Sequence, residues 1–203
     1  MSKYVFPAEK TFIRPVDLRK RYGENYDPNI FKRWQQEGKI EKLRNGLYRN
    51  TADPIRGDVD RFVAAGRMYE PSYISMHSAL RYYNFIPEMV YATTSITTQK
   101  TKTFHNKLGR FCYQTLKPEL FWGYKTIAWH GGYFNLATPE KTLLDFAYLN
   151  PWFSDPDWLL EMRFDPEEMM MTLDMGLLVS YAKAVKSQTL IDRITALRET
   201  YTL

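Results

Sequence analysis

The order of elements in the first fifty residues constrains this chain more than any other feature. Asp27 to Glu37 reads as one short helix. Asp27 suits the N-cap, and Pro28 suits the first helical position, where its missing N–H costs nothing. Ile30, Phe31 and Trp34 share one apolar stripe, so Asn29, Lys32, Arg33 and Gln36 point away from it. Those four are side-chain types that contact base edges and phosphates. In the next segment, Gly38 to Tyr48, Ile40, Leu43 and Leu47 bracket an Asn45-Gly46 pair, a strong hairpin signal. With a turn-helix upstream from Phe12, this is the layout of a winged helix-turn-helix. The tip of its wing is basic and polar: Lys42, Arg44 and Asn45. A polar helix face can equally be a solvated one, and small helix-turn-helix folds also serve protein contacts. Charge favours nucleic acid. Residues 1–50 hold twelve Lys/Arg against six Asp/Glu, a net of +6, whereas residues 151–203 carry −4. Positive charge gathered on the proposed reader is the footprint that phosphate binding requires.

Length and composition bound the rest. A chain of 203 residues that is 44% hydrophobic can bury a sizeable core, as one large domain or as a small module with a larger one. No run approaches the ~20 apolar residues of a membrane helix. The segment Met1 to Pro7 lacks the apolar stretch of a signal peptide. Cys112 is the sole cysteine, which rules out an internal disulfide and a multi-cysteine zinc site. His77, His105 and His130 show no metal-ligand spacing. The expectation is a cytoplasmic protein with no cofactor, no metal and no membrane association.

Asn50 to Pro54 is polar and breaks both periodicities. It divides a reading module, residues 1–52, from a larger domain, residues 53–203. Helices are expected over Asp58–Tyr69 and Ser75–Tyr83, with Pro71-Ser72-Tyr73 as an interruption. β-Branched and aromatic runs then predict strands at Val90–Thr97, Gly109–Thr115, Phe121–Trp129 and Tyr133–Ala137, with a Gly131-Gly132 turn. Thr138-Pro139-Glu140 is a clear helix start. Further helices are expected over Asp155–Phe164, Pro166–Leu173 and Leu177–Leu203. The fold class is therefore α+β: an N-terminal winged helix-turn-helix, then a domain with a small antiparallel sheet and several helices.

Several residues resemble reactive clusters. Lys141 and Asp145 are four apart, the spacing of an ordinary surface ion pair worth a few tenths of a kcal/mol (~0.3). Glu140, Lys141 and Asp145 thus read as a capped, charge-paired helix rather than a catalytic group. Glu37-Gly38-Lys39 has the letters of a nuclease motif but lies in the reading head. His77 with Ser75 and Ser78 suggests a nucleophile pair on paper, yet a hydrogen-bonded core or cap histidine is the simpler account. Cys112 is expected to be buried and inert. The aromatic run Phe121-Trp122-Gly123-Tyr124 could stack bases but more commonly fills a core. Met169-Met170-Met171 suits either helix packing or an adaptable contact surface. Lys100, Lys102, His105, Lys107 and Arg110 make a basic loop between strands. It reads either as a solvated tip or as a contact for phosphate, RNA or a partner protein.

Three segments together resemble a known family. Gly38 to Tyr48, Tyr73-Ile74-Ser75-Met76-His77-Ser78-Ala79-Leu80 with Thr93-Thr94, and Leu136 to Asp145 resemble, in this order, motifs of the AbiEi-type antitoxins of bacterial type IV toxin–antitoxin systems. The acidic, Met-rich block Asp165 to Met171 departs from that pattern. The resemblance implies a transcriptional autorepressor and antitoxin that is not an enzyme. Its winged helix binds inverted repeats of double-stranded DNA in its own promoter. Its larger domain counteracts a nucleotidyltransferase-like toxin of the same operon, with no stable complex required. Asn29, Lys32, Arg33, Gln36, Lys42, Arg44 and Asn45 are the expected DNA contacts. Lys100, Lys102, Lys107, Arg110 and Lys141 are the candidates for the antitoxin function. Two alternatives stand beside this reading: a module that neutralises a partner by direct contact, and an enzyme that modifies the toxin.

Overall fold

Three apolar side chains organise the N-terminal segment. Ile30, Phe31 and Trp34 are buried together with Ile13, Leu18, Tyr26 and Ile40. The structure, a computed structural model, describes residues 4–23, 26–130 and 132–203. Strand β1 (Phe12–Ile13), helices α1 (Pro15–Tyr22) and α2 (Asn29–Gln36), and strands β2 (Ile40–Arg44) and β3 (Leu47–Asn50) follow in order. The strands form an antiparallel sheet in the order β1-β3-β2. Arg44 pairs with Leu47, so Asn45-Gly46 is the hairpin loop, and Gly46 takes the left-handed φ of +73° that glycine favours. Helix α2 starts one residue later than expected, with Pro28 as its cap residue. Asp27 still serves the helix start, because its carboxylate accepts from the Asn29 N–H at 2.9 Å.

The body begins with α3 (Asp58–Met68), β4 (Ser72–Ile74) and α4 (Met76–Tyr82). Strands β5 (Ala92–Thr97), β6 (Lys102–Asn106), β7 (Gly109–Thr115), β8 (Tyr124–Trp129) and β9 (Gly132–Ala137) complete a six-stranded sheet in the order β6-β7-β5-β4-β9-β8. This corrects the expectation of a small antiparallel sheet. The sheet is mixed: β4 runs parallel to β9, and β5 parallel to β7. Two strands were not legible as strands. All three residues of β4 are buried, so it lacks the alternation of a half-exposed strand. The polar Lys102–Asn106 segment, expected to be a loop, is an edge strand that, among the described residues, pairs with β7 alone. Of the expected Gly131-Gly132 turn, Gly131 lies outside the described residues.

The C-terminal helices are α5 (Pro139–Leu149), α6 (Pro156–Glu161), α7 (Pro166–Thr172), α8 (Met175–Ala184) and α9 (Gln188–Tyr201). Thr138 caps α5 as expected, accepting from the Lys141 N–H, and Asp155, Asp165, Asp174 and Ser187 cap the next four. The expected single helix over Leu177–Leu203 is two. The chain turns at Lys186, whose φ is +55°, and Ser187 starts the second helix. These helices pack with α4 and α5 in one apolar cluster. A second cluster joins Leu43 and Leu47 of the hairpin to Phe62, Val63 and Met68 of α3 and to Phe111 and Tyr113 of β7. Apolar packing is therefore continuous from the hairpin to the large sheet. Among the described residues, no helix is long and apolar enough to cross a membrane.

Candidate nucleic-acid interface

The amphipathicity of α2 sets its outer face. With Ile30, Phe31 and Trp34 turned inward, Asn29, Lys32, Arg33 and Gln36 are all exposed. Neighbouring side chains hold two of them. Asn29 donates to Asp27 at 3.0 Å, and Arg33 lies 3.7 Å from Glu37. Glu37 also pairs with Lys39 at 2.8 Å, and the bond from Lys39 holds its carboxyl below the usual range. On the hairpin, Lys42 and Asn45 are exposed. Arg44 is half-buried and donates to the Asn45 carbonyl at 2.8 Å.

The hairpin forms one wall of a cleft of about 1190 Å³. The opposite wall is β6, which contributes Lys102, Phe104, His105 and Asn106, with Lys107 just beyond it. The segment before α1 and the end of α3 complete the lining. Asn106 closes one end by donating to the Leu43 carbonyl at 3.2 Å. The structure thus brings two separately expected basic sets, Lys42/Arg44 and Lys102/Lys107, onto one concave surface. It leaves Arg110 out. That residue lies with Asp58, Arg61 and Tyr91 in another depression. Lys100 does not line the cleft, although its carbonyl accepts from the Tyr69 hydroxyl at 3.1 Å.

Sequence reasoning missed Lys10, Arg14, Arg67, Tyr69 and Gln99, which also line the cleft. They come from distant parts of the chain, and nothing local marks them. The alternation in Lys102-Thr103-Phe104-His105-Asn106 was the available signal that this segment is a strand. The acids of the cleft are mostly neutralised. Asp17 lies 3.2 Å from Lys10 and 3.7 Å from Arg14, and Glu70 lies 3.7 Å from Arg67. Among the described residues, no carboxylate pairs with Lys42, Arg44, Lys102 or Lys107.

Lys141 corrects an expectation. Its pair with Asp145 is not at the surface: both side chains are 1% exposed. The ammonium donates to one carboxylate oxygen of Asp145. The other accepts from the Tyr73 hydroxyl at 2.9 Å and the Ser75 hydroxyl at 2.8 Å. The Lys141 ammonium also lies 5.1 Å from the Trp122 ring centre and 5.6 Å from that of Tyr73. Burial pushes the Asp145 carboxyl above its ordinary value, while Lys141 and the two hydroxyls act in the opposite direction. The charged and hydroxyl groups of this cluster are partnered, and the small apolar pocket beside Lys141 and Asp145 has no room for a water, so the cluster works as a pin between α5, β4 and the loop before β8. Ser75 serves Asp145, and Ser78 donates to the Ala92 carbonyl at 3.2 Å, so both hydroxyls are engaged away from His77. The His77 imidazole is instead edge-on to Phe146.

The remaining candidates are also placed. Cys112 is half-buried, more open than expected. Phe121, Trp122 and Tyr124 pack against the main core, and Tyr124 stacks on Tyr73. Met169 is buried, whereas Met170 and Met171 are exposed. Among the described residues, no group of His, Cys, Asp or Glu side chains could hold a metal ion. No protein-family profile matches this chain, and no curated protein matches it either.

Proposed function

We propose that this chain is a double-stranded-DNA-binding transcriptional autorepressor. On this reading, residues 1–52 work as a winged helix-turn-helix, and residues 53–203 act, without catalysis of their own, as antitoxin against a nucleotidyltransferase-like toxin of the same operon. One observation carries the DNA-binding part. The face of α2 bearing Asn29, Lys32, Arg33 and Gln36 is open to solvent, while the opposite face anchors the helix in its own core. A helix held this way can enter a major groove, and a hairpin with Lys42 and Arg44 near its tip suits the flanking phosphates. A gel-shift titration on the promoter of its own operon, repeated at several salt concentrations, tests this. Preference for the promoter over a scrambled duplex at matched salt is the expected result. Equal binding to both at every salt concentration removes the repressor reading.

The antitoxin part draws on the resemblance in three segments and on the exposed cations Lys100, Lys102, Lys107 and Arg110. Co-expression with a nucleotidyltransferase-like neighbour should relieve growth arrest without co-purification of the two proteins. The direct-contact alternative has an observation of its own. Trp158, Leu160, Met170 and Met171 are large apolar side chains left exposed on the acidic helices α6 and α7. A stable stoichiometric complex would favour that alternative.

A further inference from the structure

We propose that the cleft between the hairpin and β6 binds single-stranded nucleic acid, a function separate from duplex reading by α2. Four features converge there. Lys42, Arg44, Lys102 and Lys107 stand around the cleft without carboxylate partners among the described residues. Phe12, Tyr69 and Phe104 line it and are only half-buried. Tyr69 and Phe104 are held in an edge-to-face pair, 5.9 Å between centres, backed by Tyr113. Lys102 lies 5.0 Å from the Phe104 ring centre and 5.6 Å from that of Tyr69, so cation and π-face are presented together. His105 adds an exposed polar side chain, while the Gln99 and Asn106 amides are held by the Glu70 and Leu43 carbonyls and shape the wall.

A cationic groove with aromatic faces is the arrangement that binds single strands, because every unstacked base has a π-face to offer. A duplex turns its bases inward and presents phosphates and groove edges, so rings inside a concave cleft find nothing to stack on. The competing account of Lys102 and Lys107 is that edge strands carry lysine to deter pairing with other strands. That account does not explain why cations from the hairpin converge on the same space, nor why aromatic side chains line it. The cleft is lined by the hairpin and not by α2, so the two functions can fail independently.

Fluorescence anisotropy of the full chain with labelled oligothymidylate and oligouridylate of about ten residues, within the site size of such grooves, tests the proposal. A duplex of equal length and a salt series complete the design. Single strands should bind, and Lys102→Glu with Lys107→Glu should weaken that binding by about tenfold or more. Lys183→Glu, the same change of charge on α8, should leave it unaltered. Tyr69→Leu should lower affinity without changing the salt slope, as the loss of stacking requires. The deoxy and ribo arms tell whether the strand is DNA or RNA. The proposal is overturned by any of three results. These are absent single-strand binding at low salt, indifference to the Lys102 and Lys107 reversals, or reversals that weaken duplex and single strand equally. Specific promoter binding with no single-strand binding would remove the cleft function alone. The converse would remove only the repressor reading.

Discussion

Asp145 illustrates how one side chain can be misread from spacing alone. Four residues separate it from Lys141, and a helix gives that spacing the same meaning at a surface and in a core. What decides is the surroundings, and these come from Tyr73, Ser75 and Trp122, up to seventy-two residues away in sequence. Breaking a buried pair from one side leaves an uncompensated charge, so Asp145→Asn should cost about 3–5 kcal/mol in urea unfolding. The double replacement Lys141→Met with Asp145→Leu should recover most of that loss. A single-variant cost below about 1 kcal/mol would mean that the pair behaves as a surface one. Gly123 belongs to the same cluster. Its φ is +75°, and a Cβ there would sit 3.0 Å from Cγ of Lys141. Gly123→Ala therefore meets left-handed backbone strain of about 1–2 kcal/mol together with a crowded, immobile neighbour. Thermal unfolding of this variant should show a clear loss of stability.

Helices announced themselves in the sequence better than strands did. The stripe of α2 and the Thr138-Pro139 start of α5 were legible because each depends on residues three or four apart. The short strand β4 was not, since its two faces are covered by distant elements, α5 over Tyr73 and α3 over Ile74. The break between α8 and α9 was equally hidden, because the apolar residues flanking Lys186 continue a helical pattern across it. The exposed residues of α2 and the hairpin call for different variants. Arg33→Ala should relax discrimination between promoter and scrambled DNA by about 1–3 kcal/mol if its guanidinium reads guanine. Lys42→Ala should instead weaken all duplexes alike and reduce the salt slope by about one. Gel shifts over a salt series separate the two. Identical behaviour of both variants would argue against a reading helix.

Across the molecule as a whole, the charge asymmetry was legible and the continuity of packing was not. Leu43 and Leu47 follow the hairpin pattern, which says nothing about what lies above them. They are covered by α3 and the large sheet. The N-terminal segment and the body should therefore unfold together. Leu43→Ala should cost about 2–5 kcal/mol and shift a single transition seen alike by fluorescence and circular dichroism. Two separated transitions would show that the hairpin is only lightly attached. The cleft was the least legible feature, because its walls come from segments about sixty residues apart that local patterns do not connect.

The border strand β6 carries one more consequence. Among the described residues, no strand pairs with its outer backbone edge, which is guarded by Lys102 and by Lys107 just past its end. Erasing that charge, for instance by acetylation or by paired alanines, would offer a second molecule an unguarded row of peptide groups. Such a preparation should self-associate on concentration, through strand-to-strand docking that the native lysines discourage.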